Sequence, residues 1–308
     1  IAAGSASTAA WALATRARMA GSVERFVVGH VDHRTRPETA AEQGHVAALC
    51  RELGCPFVAL DVCETTLDHR GSREDVLRRL RYEALAKAAA RLGLTDVVTA
   101  HTRDDQIETV IMRLMSGTSS LGATGMETSM TMETKSGAIV IRRPLLDVSR
   151  KQLEEVIRTA GIEVIEDPSN EDLSYRRNAI RHRVVPALRA IDPGFGASLL
   201  RSVEMAARDA RVVDTLARQK MESIVQRHGS RIVIARHELN ELEPALSSRI
   251  VREAILELRP DLGRDLPFER VEAVRVASLV SQSGAVVELP GSLQALIRYG
   301  SIELEERE

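Results

Sequence analysis

Short apolar segments alternate with helical segments through the first half of the chain, and this alternation constrains the fold more than any other feature. Strands are predicted at residues 25–33, 57–62 and 96–100, and each is followed by a stretch with helical periodicity. Parallel strands need long crossover connections, so strands joined by helices of this length favour a mainly parallel, doubly wound sheet. The sequence therefore predicts an α/β, Rossmann-like domain.

The middle of the chain departs from this pattern. Residues 116–138 are rich in Ser, Thr, Gly and Met, and they are predicted to be irregular before a short strand. Ser149 and Gln152 have the spacing of a capping box, which predicts the start of a helix. A long helix is predicted near residues 198–227, followed by a tail of mixed helix and strand.

The length of 308 residues, with 44% hydrophobic content, suits one large domain or two ordinary ones. We predict a nucleotide-binding sheet domain that lacks its first strand over residues 1–180. A basic linker and a mostly helical domain follow over residues 181–308. No apolar run approaches the roughly 20 residues of a membrane span, and an odd number of cysteines in a long chain favours reduced thiols. These features predict a soluble, cytoplasmic protein without a membrane partner.

A run of five arginines without an acidic residue lies between Tyr175 and Arg189. The whole chain has a formal net charge of −2, so this run stands out locally. It is either a solvated face or a strip that contacts nucleic-acid phosphates. The sequence alone leaves both readings open. The arginines are Arg176, Arg177, Arg181, Arg183 and Arg189.

Two further segments carry candidate chemistry. Small residues from Ile1 to Thr8 run into a predicted helix, where backbone amides can approach phosphates, although a plain tight turn is the simpler reading. Asp104, Asp105 and Glu108 fall on one edge of a helix that follows His101. One acid there would only complement the helix dipole. Three acids with a histidine favour a site for a metal–nucleotide or an ammonium group.

Six motifs follow one another along the first 190 residues. They are His30-Val-Asp-His33 with Arg36-Pro-Glu38, Arg78-x-x-Arg81-Tyr82, His101-x-x-Asp-Asp-Gln-x-Glu-Thr109, Arg143-Pro-Leu-Leu146, Glu166-Asp-Pro-Ser-Asn170 and Arg177-Asn-x-Ile-Arg-His182. In this order they resemble the motifs of tRNA(Ile)-lysidine synthases, which are N-type ATP pyrophosphatases of the PP-loop superfamily.

The resemblance implies a specific reaction. Such enzymes use ATP and Mg²⁺ to adenylate the C2 oxygen of the wobble cytidine in a tRNA(Ile) with a CAU anticodon. The ε-amine of free L-lysine then displaces AMP. A homodimer is compatible with the resemblance.

The resemblance also assigns roles to individual residues. Asp105 and Glu108 are expected to recognise the lysine amine, and Arg78 is expected to reach the adenylate or substrate phosphates. The residues expected to bind the nucleotide are Gly4, Ser5, Ser7, Thr8, His30, Asp32 and His101. Those expected to contact the tRNA are Arg176, Arg177, Arg181 and Arg183.

The first loop departs from the family pattern of Ser-Gly-Gly-x-Asp-Ser. Here the loop has Ala2, Ala3 and Ala6, so Ala6 replaces the carboxylate. A shortened chain, an altered loop and a natural homologue with damaged ATP binding all fit. The alternative function is therefore a non-catalytic tRNA-binding homologue. A PP-loop tRNA thiolase is disfavoured because the sequence has no Cys-x-x-Cys pair, and a nucleotide-binding module without RNA leaves the arginine run unexplained.

Overall fold

The computed structural model divides into two compact units, Ile1–Thr109 with Gly125–Gly196 and Val110–Thr124 with Ala197–Glu308. The boundary predicted at residue 180 falls within the first unit. The assignment of functions to the two units stays a prediction. The structure describes residues 26–32, 39–52, 54–62, 73–116, 124–160 and 172–307.

The described strands of the first unit pair mainly in parallel. Strand β1 (Val28–Asp32) pairs with β2 (Phe57–Asp61), and the helix between them along the chain is α1 (Thr39–Glu52). Strand β3 (Asp96–Val98) pairs in parallel with β5 (Gly137–Arg142). These pairings confirm the parallel α/β architecture that the alternating pattern predicts.

The prediction that residues 116–138 are irregular is wrong for β4 (Ser129–Thr134). This strand pairs antiparallel with β5, and the turn between them is closed by Gly137 at a φ of 108°. Met130 and Met132 alternate with exposed residues and pack against a core cluster that contains Ile139. The period-2 alternation is therefore present in the sequence, but the Ser/Thr-rich composition obscures it.

The helix that the spacing of Ser149 and Gln152 predicts is present at Arg150–Ala160. At Ser149 the predicted capping box is confirmed: its amide and hydroxyl donate to Gln152 Oε1 at 2.9 and 2.8 Å, and the Gln152 amide lies 3.3 Å from Ser149 Oγ. A π-helical turn at Ile180–Val184 joins the last two helices. After α1, the helices are α2 (Arg73–Leu92), α3 (Arg103–Met115), α4 (Arg150–Ala160), α5 (Arg176–Ala179) and α6 (Val185–Ile191).

In its described residues, the second unit contains the long helix α7 (Phe195–Ile224), three shorter α-helices, a 3-10 helix at Pro260–Asp265 and a five-stranded antiparallel sheet in the order β6-β7-β10-β9-β8. Its core packs fully buried aliphatic side chains from the sheet against the helices. The other elements are β6 (Val225–His228), β7 (Arg231–Ala235), α8 (Arg236–Asn240), α9 (Pro244–Leu258), α10 (Phe268–Val280), β8 (Val286–Leu289), β9 (Leu293–Ile297) and β10 (Ser301–Glu306). Within the described ranges, no helix is both long and apolar enough to cross a membrane.

Candidate functional site

The candidate site is built on the first turns of α3, which follow β3. Thr102 and Asp105 form a reciprocal cap: the Thr102 amide and hydroxyl donate to Asp105 Oδ2 at 2.8 and 2.7 Å, and the Asp105 amide donates to Thr102 Oγ1 at 3.3 Å. Such a cap satisfies amides that the first helical turn leaves without partners. It also fixes the Asp105 carboxylate, so that Oδ1 is left for other partners.

Two carboxylates of α3 meet two arginines from α5 and the π-helical turn, and we call these four residues the acid–arginine cluster. Arg177 Nε donates to Glu108 at 2.9 Å, and Arg181 Nε and Nη2 donate to it at 2.7 and 3.0 Å. Arg177 Nη2 also lies 3.1 Å, and Arg181 Nη2 3.4 Å, from Asp105 Oδ1. The four side chains are between 3% and 22% exposed. Charges this well shielded from water interact strongly.

The third acid of the predicted edge, Asp104, holds other elements in place. Its Oδ2 accepts a hydrogen bond from the Arg150 amide at the start of α4, at 2.7 Å. Its Oδ1 accepts one from Arg189 Nη2 at 2.7 Å. Asp104 therefore ties α3 to α4 and α6. With Asp104, every acid on this edge of α3 pairs with an arginine of the basic run.

The surroundings lower the pKa of Asp105. Burial acts in the opposite direction, but it is outweighed by the positive charge of Arg177 and by the hydrogen bonds from Thr102. The pKa of Asp104 is lowered in the same way, because the hydrogen bonds from Arg150 and Arg189 outweigh burial. Both carboxylates are therefore ionised at neutral pH.

His101 is held neutral beside this cluster. Burial is the main reason that its pKa falls to about 4, and the positive charges of Arg177, Arg78 and Arg143 lower it further against the opposing charge of Asp105. The His101 Nδ1 atom lies 2.9 Å from Thr99 Oγ1. A neutral imidazole can both donate and accept a hydrogen bond, which suits it to a polar ligand.

Three guanidiniums, of Arg177, Arg78 and Arg143, act on His101. Arg143 is only 2% exposed, and its guanidinium bonds to the Glu127 carbonyl oxygen at 2.7 Å and to Met130 Sδ at 3.2 Å. No carboxylate of the described residues pairs with Arg143. The guanidinium of Arg78 lies over the ring of Tyr82, 5.2 Å from its centroid. A buried cation without a counter-ion is unfavourable, so this region is suited to an anionic ligand.

The structure brings several of the predicted residues together. His101 and Arg78 contribute to one electrostatic environment with the acid–arginine cluster. Arg176 and Arg183 are exposed, whereas Arg177 and Arg181 face carboxylates. His30 is buried in β1, and Asp32 is the last residue of that strand. The roles assigned to these residues stay predictions. The loop residues Gly4, Ser5, Ser7 and Thr8 lie outside the described part of the chain.

The sequence alone predicts no role for Thr102, Gln106 or Arg143. The Thr-x-x-Asp spacing of Thr102 and Asp105 is that of a cap and could have identified the first. Arg143 lies in a recognised motif, but nothing local indicates that its guanidinium is buried. Gln106 lies between two acids, and its partner is 20 residues away in the sequence.

Comparison with known proteins agrees with this architecture. Residues 1–188 match the PP-loop domain family. A tRNA(Ile)-lysidine synthase from Salinispora arenicola is 32% identical over 274 residues, which cover 88% of this chain and 79% of that protein. The chain belongs to the tRNA(Ile)-lysidine synthase family of PP-loop proteins.

This family includes longer members. The tRNA(Ile)-lysidine synthase of Dehalococcoides mccartyi is 30% identical over 277 residues, and the match covers 88% of this chain but 58% of that relative. Among solved structures, the U34-tRNA thiolase NcsA of Methanococcus maripaludis, with its 4Fe-4S cluster, superimposes with a TM-score of 0.53 at 11% identity. That match covers 68% of this chain and 71% of the thiolase. At this identity the likeness shows the PP-loop fold alone.

Proposed function

We propose that this chain ligates lysine to the C2 position of the wobble cytidine in a tRNA(Ile) with a CAU anticodon. ATP adenylates the C2 oxygen and releases pyrophosphate, and the lysine amine then attacks C2 and releases AMP. The observation that carries the proposal is the meeting of Asp105 and Glu108 with Arg177 and Arg181 in a family of tRNA(Ile)-lysidine synthases. One small region then offers both carboxylates for an amine and guanidiniums for phosphates.

The buried guanidinium of Arg143 supports ATP as the energy source. Arg143 is buried without a described carboxylate partner, and Arg78 and Arg177 act on the same imidazole. Guanidiniums match the paired oxygens of phosphates, so these side chains fit an adenylate or a tRNA phosphate. Mg²⁺ enters the proposal as the counter-ion of the ATP phosphates. Within the described residues, no group of three His, Cys, Asp or Glu side chains is arranged to hold a metal ion.

The carboxylate pair supports an amine as the second substrate. Asp105 and Glu108 lie one helical turn apart on α3, and both are ion-pair partners of guanidiniums. An ammonium group has the same charge as a guanidinium and can take its place. In this proposal the lysine amine replaces part of the arginine contacts, and the displaced guanidiniums then contact the tRNA backbone.

The direct test combines the purified chain with ATP, Mg²⁺, labelled L-lysine and a tRNA(Ile) transcript with a CAU anticodon. We expect lysine to be incorporated into tRNA with stoichiometric release of AMP. Glu108→Gln should raise the KM for lysine while tRNA affinity is retained. Glu154→Gln, an exposed change on α4, is the matched control. Equal lysine dependence in both variants would remove Glu108 from amine recognition.

The altered first loop makes a second arm necessary. Because Ala6 cannot supply the carboxylate of the family pattern, the chain as given should release pyrophosphate slowly. Loss of one preorganised electrostatic contact lowers kcat by about 10²–10³-fold. Restoring the family residues should therefore raise tRNA-dependent pyrophosphate release by about that factor. The repaired chain carries Ala2→Ser, Ala3→Gly and Ala6→Asp.

Two other outcomes of the loop repair are informative. Equal and robust turnover by both chains would show that the loop does not limit catalysis. Equal inactivity, with tRNA binding retained, would favour the alternative function of a non-catalytic tRNA-binding homologue.

A further inference from the structure

Residues 125–128, which we call the strap, lie against the first turns of α3. The side-chain amide of Gln106 pairs with the backbone of Met126 in both directions. Gln106 Nε2 donates to the Met126 carbonyl oxygen at 2.7 Å, and the Met126 amide donates to Gln106 Oε1 at 2.5 Å. The side chain thus provides the two hydrogen bonds that a neighbouring strand would provide.

Gly125 is matched to this contact. A Cβ atom at Gly125 would lie 2.5 Å from Gln106 Oε1 and 2.9 Å from Gln106 Cδ. Carbon atoms approach oxygen this closely only with strong repulsion, so a side chain at Gly125 and the observed Gln106 position exclude each other. The glycine at this position therefore permits a close approach rather than a special backbone angle.

The other end of the strap is held by Arg143. The Arg143 guanidinium donates to the Glu127 carbonyl oxygen at 2.7 Å, and its backbone amide donates to the Thr128 carbonyl oxygen at 2.8 Å. Arg143 is almost fully buried, and its charge acts on His101. The strap therefore connects α3, which carries Asp105 and Glu108, to a buried cation that acts on the same site.

We propose that Gln106 is a positioning residue, which through the strap fixes both the first turns of α3 and the Arg143 guanidinium. Gln106 touches neither the carboxylates of the cluster nor His101 in the contacts described. It acts on the backbone of the strap, which holds Arg143. Its effect on turnover rests on the proposed function, whereas the pairing of Gln106 with the Met126 backbone, which we call the clamp, does not.

The clamp is tested by amide hydrogen exchange in the full chain, with Gln106→Ala, Gly125→Ala and the double variant. Each single change should lower the protection of the Met126 amide at least tenfold. The double variant should match Gln106→Ala, because removal of the glutamine side chain leaves room for the new methyl group. Gly44→Ala is the matched control, since a Cβ at Gly44 has nothing within 4 Å.

Clear results would overturn the clamp. Unchanged Met126 protection in Gln106→Ala would show that the strap is held by other contacts. A loss in the double variant equal to the product of the two single losses would show that Gly125 and Gln106 act independently. Gln106→Glu tests the same contact if the Gln106→Ala variant fails to fold. It keeps the acceptor for the Met126 amide and loses the donor, so its protection should lie between wild type and Gln106→Ala.

The effect on the site is read from the titration of the His101 ring by NMR, without substrates. The charged groups that act on this ring are Asp105, Arg177, Arg78 and Arg143. Gln106→Ala should move the His101 titration upwards from about pH 4, because Arg143 is no longer held near it. An unchanged titration would leave Gln106 with a local structural role only and would overturn the proposal.

Turnover gives the last comparison. In an active chain, Gln106→Ala should lower kcat at least tenfold at temperatures well below its Tm, with tRNA affinity retained. An unchanged kcat would contradict a positioning role. Absence of lysine ligation by the wild-type and loop-repaired chains would refute the proposed function, while the exchange and titration results would still decide the role of Gln106.

Discussion

The change Glu108→Gln tests how much the acid–arginine cluster stabilises the first unit. The substitution keeps the shape of the side chain and removes a charge that accepts three hydrogen bonds, from Arg177 Nε and from Arg181 Nε and Nη2. The Glu108 side chain is 3% exposed, so water cannot replace the lost partner. Removing one partner of a buried ion pair costs about 3–5 kcal/mol. Asp105 still contacts both arginines, so we expect the lower end, about 3 kcal/mol.

Differential scanning calorimetry and urea unfolding measure this loss. For a domain of about 150–250 residues, 1 kcal/mol corresponds to roughly 2–4 °C, so the Tm of the transition that reports the first unit should fall by about 6–12 °C. The control is Glu155→Gln, which breaks an exposed pair with Arg158 and should leave the Tm unchanged. If the two variants unfold alike, the cluster does not stabilise the fold and the argument from burial is wrong.

Three further predictions concern other residues of the chain. The pKa of Asp105 is lower in the folded than in the unfolded chain, so its carboxylate stabilises the fold above about pH 4. The difference in free energy of unfolding between wild type and Asp105→Asn should therefore shrink as the pH falls through the folded pKa. Acid unfolding followed by circular dichroism measures this difference. Arg176→Ala with Arg183→Ala should lower the slope of log affinity for tRNA against log salt by about 1–2 in filter binding, and an unchanged slope would leave these arginines as a solvated face. Burial and the neighbouring Cys55 raise the pKa of Cys50 to about 11, so iodoacetamide at pH 7.5 should modify Cys50 only after unfolding, as peptide mass spectrometry would show.

Local pattern predicts the elements of this chain well where the period is long and the residues are apolar. The apolar stripe predicted on α3 is confirmed in part: Ile107, Val110 and Ile111 recur at helical spacing and are buried, whereas Leu114 and Met115, which continue the spacing, are exposed. The cap at Ser149 is equally predictable from the sequence, because Ser149 and Gln152 lie within four residues of each other. In these cases the interacting groups are close in the sequence, so the sequence contains the whole interaction.

The partners of charged side chains could not be predicted in the same way. Arg177 and Glu108 are 69 residues apart in the sequence, and Arg181 and Asp105 are 76 apart. A run of arginines predicts positive charge, but it does not show whether the charge faces water, phosphate or carboxylate. The buried position of Arg143 is similar, because it depends on how the strap and β5 pack together.

The position of β10 has a consequence for synthesis on the ribosome. This strand is the last of its sheet in the sequence, yet it lies at the centre and pairs with both β7 and β9. Before it emerges, the other four strands can form only two separate hairpins, and the core side chains Ile234 and Leu293 lack their neighbours on β10. Between the end of β7 and the start of β10, translation at roughly 5–20 residues per second takes about 3–13 s. During that interval the edge of β7 that β10 later covers is unpaired, and the matching edge of β9 joins it only for the last few residues, so the nascent chain carries a strand edge open to pairing with other chains.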